Sequence, residues 1–114
     1  MFELDVGEPT FEAAAVAVPD VVASGASAVL AFNDQMALGV IAGLRLLSLS
    51  VPEDISVVGF DDVPMAAMVA PPLTTISLPT AQVGAVALPM LGEGPASREL
   101  FGELVVRHST ARVR

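Results

Sequence analysis

One stretch of this sequence, residues 28–62, constrains the fold more than any other because it has the pattern of a strand, a helix and a second strand. The segments AVLAF (28–32) and ISVVGF (55–60) are short, nearly unbroken apolar runs. Such runs are typical of strands that are buried on both faces of a parallel sheet. Residues 35–47 between them are helix-permissive, and the whole unit has roughly the length of a βαβ crossover. The stretch therefore predicts an α/β fold built on a parallel sheet.

Two short polar residues follow each predicted strand directly: Asn33-Asp34 after the first and Asp61-Asp62 after the second. In open α/β sheets, ligands bind just beyond the carboxyl ends of the strands, so these pairs form the candidate site. The alternative for Asn33 and Asp34 is that one of them caps the helix that follows. For the aspartate pair, the alternatives are acid–base chemistry, a hard-metal site, or a turn in which an aspartate bonds to its own backbone.

Three blocks of sequence carry a family resemblance: FNDQMALG (32–39), VPEDISVVGFDD (51–62) and PPLTTI (71–76), with a weaker match at LVVRHST (104–110). In their order and spacing they resemble the effector-binding domain of the LacI/GalR family of bacterial transcription regulators. A complete effector domain of that family is more than twice as long as this chain. The resemblance therefore implies a type I periplasmic-binding-protein-like fold, of which this chain is a C-terminal subdomain fragment.

The resemblance also implies which residues contact the effector, a sugar or another small polar metabolite. The Asn33 amide and the Asp61 carboxylate are expected to bind it, because a carboxylate can accept strong hydrogen bonds from neighbouring sugar hydroxyls. Phe60 is expected to line the pocket, with a buried core aromatic as the alternative. Asp62 is expected to be structural. No catalytic residue, metal or cofactor is implied.

The same resemblance divides the chain into three parts: residues 1–78 of the C-terminal subdomain, residues 79–103 that cross to the N-terminal subdomain, and residues 104–114 that return. The crossing part is expected to contain a helix that opens after Pro79 and is broken by Pro89. A last strand is predicted at residues 103–109, and a frayed basic tail from Thr110 onward.

The N-terminal part has a second strand–helix pattern. FELDV (2–6) alternates apolar and acidic residues, which favours a strand. Thr10 is a suitable N-cap for a helix over residues 11–22. Pro19 is expected to kink or end that helix near Val18, because proline cannot donate the backbone hydrogen bond that a helix interior requires.

Charge and composition limit the possible partners. The net charge is −8, and the sequence contains no lysine and no cysteine. Because DNA binding requires a basic surface, we expect any DNA contact to be made by an N-terminal domain outside this chain. No apolar run reaches the length of a membrane span, and the acidic N-terminus is unlike a signal peptide. These features predict a cytoplasmic protein without membrane contact.

The predicted central helix has almost no polar stripe that would face solvent, since Gln35 and Arg45 are its clearly polar residues. An uncovered apolar patch marks an interface, and the matching helix and loop contribute to dimers in the LacI family. We therefore predict a homodimer through this helix and the loop at residues 63–70. The alternative is that the N-terminal helix, or the helix after Pro79, covers this face. The predicted interface residues are Leu38, Ile41, Ala42, Arg45, Met65, Met68 and Val69.

Three classes of function are compatible with the sequence. The first is an effector-sensing and dimerisation module of a LacI-type regulator. The alternative is a periplasmic sugar-binding protein of an ABC transporter, which shares the fold but requires a signal peptide. The third is an enzyme that uses Asp61, Asp62 and His108, although no nucleophile elbow, phosphate-binding loop or metal-spaced histidine pair accompanies them. The resemblance favours the first.

Overall fold

The computed structural model describes residues 1–79 and 102–113, and it contains two α-helices, one short 3-10 helix and four short strands in these ranges. Their order along the chain is α1 (Phe11–Ala23), β1 (Ala28–Leu30), α2 (Asp34–Leu46), β2 (Ser56–Val58), the 3-10 helix (Pro64–Ala67), β3 (Thr75–Ser77) and β4 (Glu103–Val105). The predicted α/β class is confirmed, and β1 and β2 are each shorter than the apolar runs that predicted them.

Strands β1 and β2 pair in parallel, with Ala28 opposite Ser56 and Leu30 opposite Val58. Helix α2 connects them, so the predicted central βαβ unit is confirmed. Isolated parallel bridges join Val58 to Thr74 and Asp61 to Ser77. Strand β3 thus runs beside the segment that leaves β2, and it also pairs antiparallel with β4. The carboxyl end of β2 therefore lies between β1 and the segment that contains β3.

Strand β1 is less covered than its sequence predicts. Leu30 and Phe32, expected to be buried, are 76% and 75% exposed. β1 pairs with β2 on one side, and within the described residues no strand pairs with its other edge. The apolar run correctly indicated a strand, but burial depends on neighbours that the local pattern does not supply.

Helices α1 and α2 pack closely because two glycines of α2 face α1. A Cβ on Gly39 would lie 3.1 Å from the Ala14 Cβ and would collide with the Phe11 carbonyl oxygen. A Cβ on Gly43 would lie 2.5 Å from Val18 Cγ2. The hydrophobic core is centred on this contact and on the inner side of β2. Its members are Ala14, Val18, Ala37, Val40, Ile41, Leu44, Ile55, Val57, Ala66 and Leu73.

The prediction that Pro19 ends the first helix near Val18 is wrong, because α1 continues through Pro19 to Ala23, whereas a kink at this position stays a prediction. Proline lacks the N–H that would bond to the carbonyl of Ala15. That carbonyl oxygen faces α2, where it would lie 2.9 Å from a Cβ on Gly43. The close packing of α1 against Gly39 and Gly43 of α2 offsets one lost intrahelical bond. Thr10 caps the helix as predicted, since its hydroxyl accepts a hydrogen bond from the Ala13 N–H at 3.1 Å.

Two terminal predictions also fail. Residues 2–6 form no strand, and Asp5 instead accepts a hydrogen bond from the Gly7 N–H at 2.8 Å, which turns the chain. The tail is not frayed at Thr110, whose hydroxyl lies 3.0 Å from that of Thr74. The preceding Ser109 is fully buried. Tertiary hydrogen bonds decide both outcomes, and neither is visible in local sequence.

The three-part division of the chain at residues 78 and 103 stays a prediction. The helix after Pro79 and its break at Pro89 fall at residues 80–101, outside the described ranges. In the described residues, no helix has the length and apolarity that crossing a membrane requires.

Candidate functional site

The ends of β1 and β2 meet as their parallel pairing requires. The backbone N–H of Asp34 donates to the carbonyl oxygen of Phe60 at 3.0 Å, and the Ala31 N–H donates to the Val58 carbonyl at 2.8 Å. The two polar pairs singled out in the sequence therefore lie side by side at the carboxyl edge of the sheet. This is the edge at which open α/β sheets bind ligands.

Asn33 is the N-cap of α2. Its backbone is extended, and its Oδ1 accepts a hydrogen bond from the Met36 N–H at 2.8 Å. Its Nδ2 donates to the carbonyl oxygen of Pro9 at 3.3 Å, which ties the cap to the turn before α1. Capping is one of the two roles that the sequence allowed for Asn33, and it uses the amide oxygen. Effector contact by the same amide stays a prediction.

Asp34 does not cap the helix; it is the first helical residue and is fully buried. Its Oδ1 accepts a hydrogen bond from the Thr75 hydroxyl at 2.6 Å, and its Oδ2 accepts one from the Val63 N–H at 2.8 Å. Sequence reasoning missed this role. Both donors are distant in sequence, and nothing in the local pattern distinguishes a buried aspartate from an exposed one.

Asp61 is exposed and has an unusual backbone. Its φ angle is +116°, in the region that non-glycine residues rarely adopt. Its N–H donates to the Ile76 carbonyl at 2.9 Å, which anchors it to β3. Within residues 1–79 and 102–113 its carboxylate makes no hydrogen bond.

Asp62 has a structural role, as the sequence suggested. Its φ angle is also positive, at +59°, and its Oδ1 lies 2.9 Å from Nη2 of Arg107. Nη1 of the same arginine donates to the Leu73 carbonyl at 2.9 Å. The ion pair therefore joins the segment after β2 to the segment after β4.

Phe60 is half-buried. This exposure is compatible with both roles that the sequence left open, lining the effector pocket and packing in the core. Phe32 is the aromatic that sequence reasoning missed, because its apolar run indicated a buried strand. It directly precedes Asn33 and is largely exposed at the same edge. An exposed aromatic ring beside polar groups is a common feature of ligand sites.

Comparison with known proteins is consistent with this geometry. Residues 3–110 match the family model described as a periplasmic-binding-protein-like domain. This chain belongs to that family. The predicted fold type is thereby confirmed, and the relatives described next confirm the similarity to LacI-type regulators.

Several curated transcription regulators are similar to this chain. The transcriptional regulator MalR of Streptomyces coelicolor is 43% identical to it over 109 residues, which cover 90% of this chain and 32% of MalR. The repressor PurR of Vibrio vulnificus is 42% identical over 94 residues, covering 76% of this chain and 28% of PurR. The chain thus spans about a third of the length of these relatives.

Solved structures show the same similarity. A LacI family regulator of Enterococcus faecalis V583 with bound ribose has a TM-score of 0.84 and 32% identity, covering 94% of this chain and 43% of that one. A LacI family regulator of Arthrobacter sp. FB24 in complex with lactose has a TM-score of 0.79 and 34% identity, covering 91% of this chain and 43% of that one.

The residues predicted to form a dimer interface differ in exposure. Met65 and Met68 are 52% and 72% exposed, whereas Leu38, Ala42 and Val69 are half-buried. Arg45 is exposed, and its Nη2 donates to the Ala70 carbonyl at 2.5 Å.

Ile41 requires a correction, because the sequence pattern placed it on the exposed side of the helix. It is only 6% exposed and belongs to the core. The partly buried side chains that pack against this core include Leu49, Val51 and Val69, from the loops on either side of β2. Helix α1 covers the Gly39 and Gly43 side of α2, which accounts for part of the missing solvent stripe.

An open cavity of about 340 Å³ lies near this surface, between the end of α2 and Pro71. Its lining includes Ile41, Arg45 and Glu53 and none of the three predicted effector residues. It is therefore a separate depression from the sheet edge at Asn33 and Asp61.

His108 lies beyond β4 and is exposed, and its backbone N–H donates to the Pro72 carbonyl at 3.0 Å. In the part of the chain that the structure describes, no group of three or more acidic or histidine side chains is arranged to hold a metal ion.

Proposed function

We propose that this chain forms the part of a LacI-type effector-binding domain that contacts a sugar-like effector at the edge defined by Asn33, Phe60 and Asp61. The observation that carries the proposal is the exposed Asp61 carboxylate, held at the carboxyl end of a parallel strand beside Asn33. A carboxylate accepts charge-assisted hydrogen bonds from hydroxyl groups. The ribose and lactose bound to the two solved relatives support sugar chemistry.

The relatives favour a regulator over a transport protein. MalR is an HTH-type transcriptional regulator and PurR an HTH-type transcriptional repressor, so the whole protein is proposed to act on DNA in the cytoplasm. The DNA contact is assigned to a region outside this chain. The net charge of −8 opposes binding of this portion to phosphate.

Effector binding rather than catalysis is the proposed role of the acidic pair. Asp62 is engaged by Arg107 at 2.9 Å, and its position is that of a structural anchor. Asp61 is left to interact with solvent or a ligand. The two carboxylates therefore have different tasks, and neither is proposed as an acid or a base.

The Asp61→Asn variant tests the proposal, because asparagine keeps the shape and removes the charge. In the full-length regulator, calorimetric titration with ribose, lactose and sucrose should show roughly tenfold or greater weakening for the sugar that binds. Asp20→Asn is the matched control, since it makes the same charge change at an exposed position of α1. Equal affinities of the wild type and Asp61→Asn would contradict the proposed role.

The isolated chain is expected to bind sugars weakly. In the LacI family the effector is clamped between two subdomains, and a single jaw buries much less of the ligand surface. Tight binding of any of the three sugars to the 114-residue chain would show that this portion suffices.

We also propose that the chain forms a homodimer through the surface around Met65 and Met68. This surface extends onto α2 at Leu38, Ala42 and Arg45, and onto the loop that follows the 3-10 helix at Val69. Ile41 lies beneath it in the core and does not contact the partner directly. Burial of a large apolar side chain contributes roughly 1.5–3 kcal/mol. Three or four such contacts, repeated across a two-fold axis, are enough to offset an association cost of about 4–15 kcal/mol.

Sedimentation equilibrium of the wild type and Met68→Glu tests the dimer. Met68 is largely exposed, so the substitution should leave the fold intact and place two charges in the interface. The expected result is a wild-type dimer and a Met68→Glu monomer. Val16→Glu is the matched control, because Val16 is 80% exposed on α1. A wild-type monomer, or a dimer that persists in Met68→Glu, would rule the surface out.

A further inference from the structure

The carboxylate of Asp34 is buried and hydrogen-bonded to two separate segments, although its own helix already has a cap in Asn33. The exposed fraction of Asp34 is zero. Each carboxylate oxygen accepts one hydrogen bond, from Thr75 at the start of β3 and from the Val63 N–H at the end of the loop after β2. Burying a carboxylate is costly unless it is well bonded, so a scaffold role alone would be served as well by a neutral side chain.

Asp34 holds the loop after β2 from both ends. At the start of the loop its N–H donates to the Phe60 carbonyl at 3.0 Å, and a Cβ on Gly59 would collide with its Oδ1. At the end of the loop its Oδ2 accepts the Val63 N–H at 2.8 Å. Asp61 and Asp62 lie between these two contacts. Asp34 therefore hydrogen-bonds to both residues that flank the acidic pair, Phe60 and Val63.

The acidic pair requires such restraint because both residues have positive φ angles, +116° and +59°. Each such conformation in a non-glycine residue is disfavoured and persists only where the surroundings over-determine it. The Asp34 contacts are those surroundings on the α2 side. The Asp61 N–H bond to Ile76 and the Asp62 ion pair with Arg107 restrain the loop from the other side.

We infer that Asp34 is a positioning residue for effector recognition: its buried carboxylate fixes the strained backbone that presents the Asp61 carboxylate to the ligand. This inference rests on the proposed function of Asp61. Asp34 itself has no exposed atom and does not touch the ligand. Its effect on binding is transmitted through the Gly59–Val63 backbone.

Two substitutions separate positioning from general stability. Asp34→Asn keeps the volume but offers one acceptor oxygen instead of two, and Thr75→Val removes one donor while keeping the side-chain shape. Val18→Ala is the control, because it weakens the core at the α1–α2 contact, away from the loop. If Asp34→Asn does not fold, Thr75→Val provides the same test.

The first measurement uses the full chain without ligand. Nuclear magnetic resonance of isotope-labelled protein gives the vicinal coupling between the amide proton and Hα of Asp61, which depends on φ and is small at +116°. In Asp34→Asn and Thr75→Val this coupling should rise toward the values of negative φ, whereas Val18→Ala should leave it unchanged. An unchanged coupling in folded Asp34→Asn or Thr75→Val would overturn the inference, whatever the outcome for sugar binding.

The second measurement is a double-mutant cycle in the full-length regulator with ribose, lactose and sucrose as probes. Asp34→Asn should weaken sugar binding roughly tenfold or more, and it should cause no further loss in the Asp61→Asn background. Additive losses would overturn the inference. If Asp61→Asn leaves affinity unchanged, the proposed function fails, and the coupling alone then decides whether Asp34 sets the loop backbone.

Discussion

The contact between α1 and α2 gives a sharp stability prediction at Gly43. Replacing this glycine with alanine adds a Cβ that would lie 2.5 Å from Val18 Cγ2 and 2.9 Å from the Ala15 carbonyl oxygen. Val18 is fully buried, so its side chain has no free volume to enter. The carbonyl belongs to helix backbone and cannot rotate away alone. The two helices must therefore separate to accommodate one methyl group.

Two opposing contributions set the magnitude. In a helix interior, alanine is favoured over glycine by about 1 kcal/mol. Overpacking of a well-filled core costs ~1–3 kcal/mol, and the clash with both a buried side chain and a backbone carbonyl places Gly43 at the upper end of that range. The free energy of unfolding of Gly43→Ala should therefore fall by about 2 kcal/mol.

Urea denaturation followed by circular dichroism measures this change, with an unchanged m-value as the sign that the unfolded state is unaffected. A second variant checks the cause. Val18→Ala is destabilising alone, but in Val18→Ala/Gly43→Ala the new methyl group occupies the vacated space. The double variant should lose at least ~0.5 kcal/mol less than the sum of the two single losses. Strict additivity, or a Gly43→Ala chain as stable as the wild type, would refute the reasoning.

Three further predictions concern the C-terminal tail, the end of α2 and the charge of the chain. Ser109→Ala should lower the free energy of unfolding by about 1–3 kcal/mol, because the buried Ser109 hydroxyl accepts from the Thr74 N–H at 2.8 Å and donates to the Val57 carbonyl at 2.6 Å. The control Ser50→Ala, at an exposed position, should change the free energy of unfolding by less than about 0.5 kcal/mol. Equal effects of the two substitutions in urea denaturation would contradict the role of Ser109. Ser48→Gly should raise the free energy of unfolding by ~0.5–1 kcal/mol, because Ser48 follows α2 with a φ angle of +60° and glycine adopts that conformation without penalty. A melting temperature below that of the wild type would contradict this prediction. The isolated chain should show no binding to duplex DNA in fluorescence anisotropy at low salt, because its net charge is −8. Salt-sensitive binding at about micromolar concentration would contradict this prediction.

The sequence by itself determined those features that depend on short stretches of chain. Two apolar runs separated by a helical segment specify a parallel βαβ unit, since the crossover must return the chain to the same edge of the sheet. Thr10 was identified as a cap, and the cap of α2 was narrowed to Asn33 or Asp34, because a cap is a contact between residues two or three apart. The acidic pair at residues 61 and 62 was located for the same reason, since strand ends are visible in the order of residue types.

Tertiary structure alone decided the features that depend on residues far apart in sequence. The burial of the Asp34 carboxylate requires the hydrogen-bond donors of Thr75 and Val63. The continuation of α1 through Pro19 requires packing against the Gly43 face of α2. The burial of Ser109 requires its hydrogen bonds to Val57 and Thr74. Burial of Ile41 and exposure of Phe32 likewise depend on which segments cover each face. Periodicity tells which residues share a face, but the burial of that face and the partners of its polar atoms follow only from how distant segments pack together.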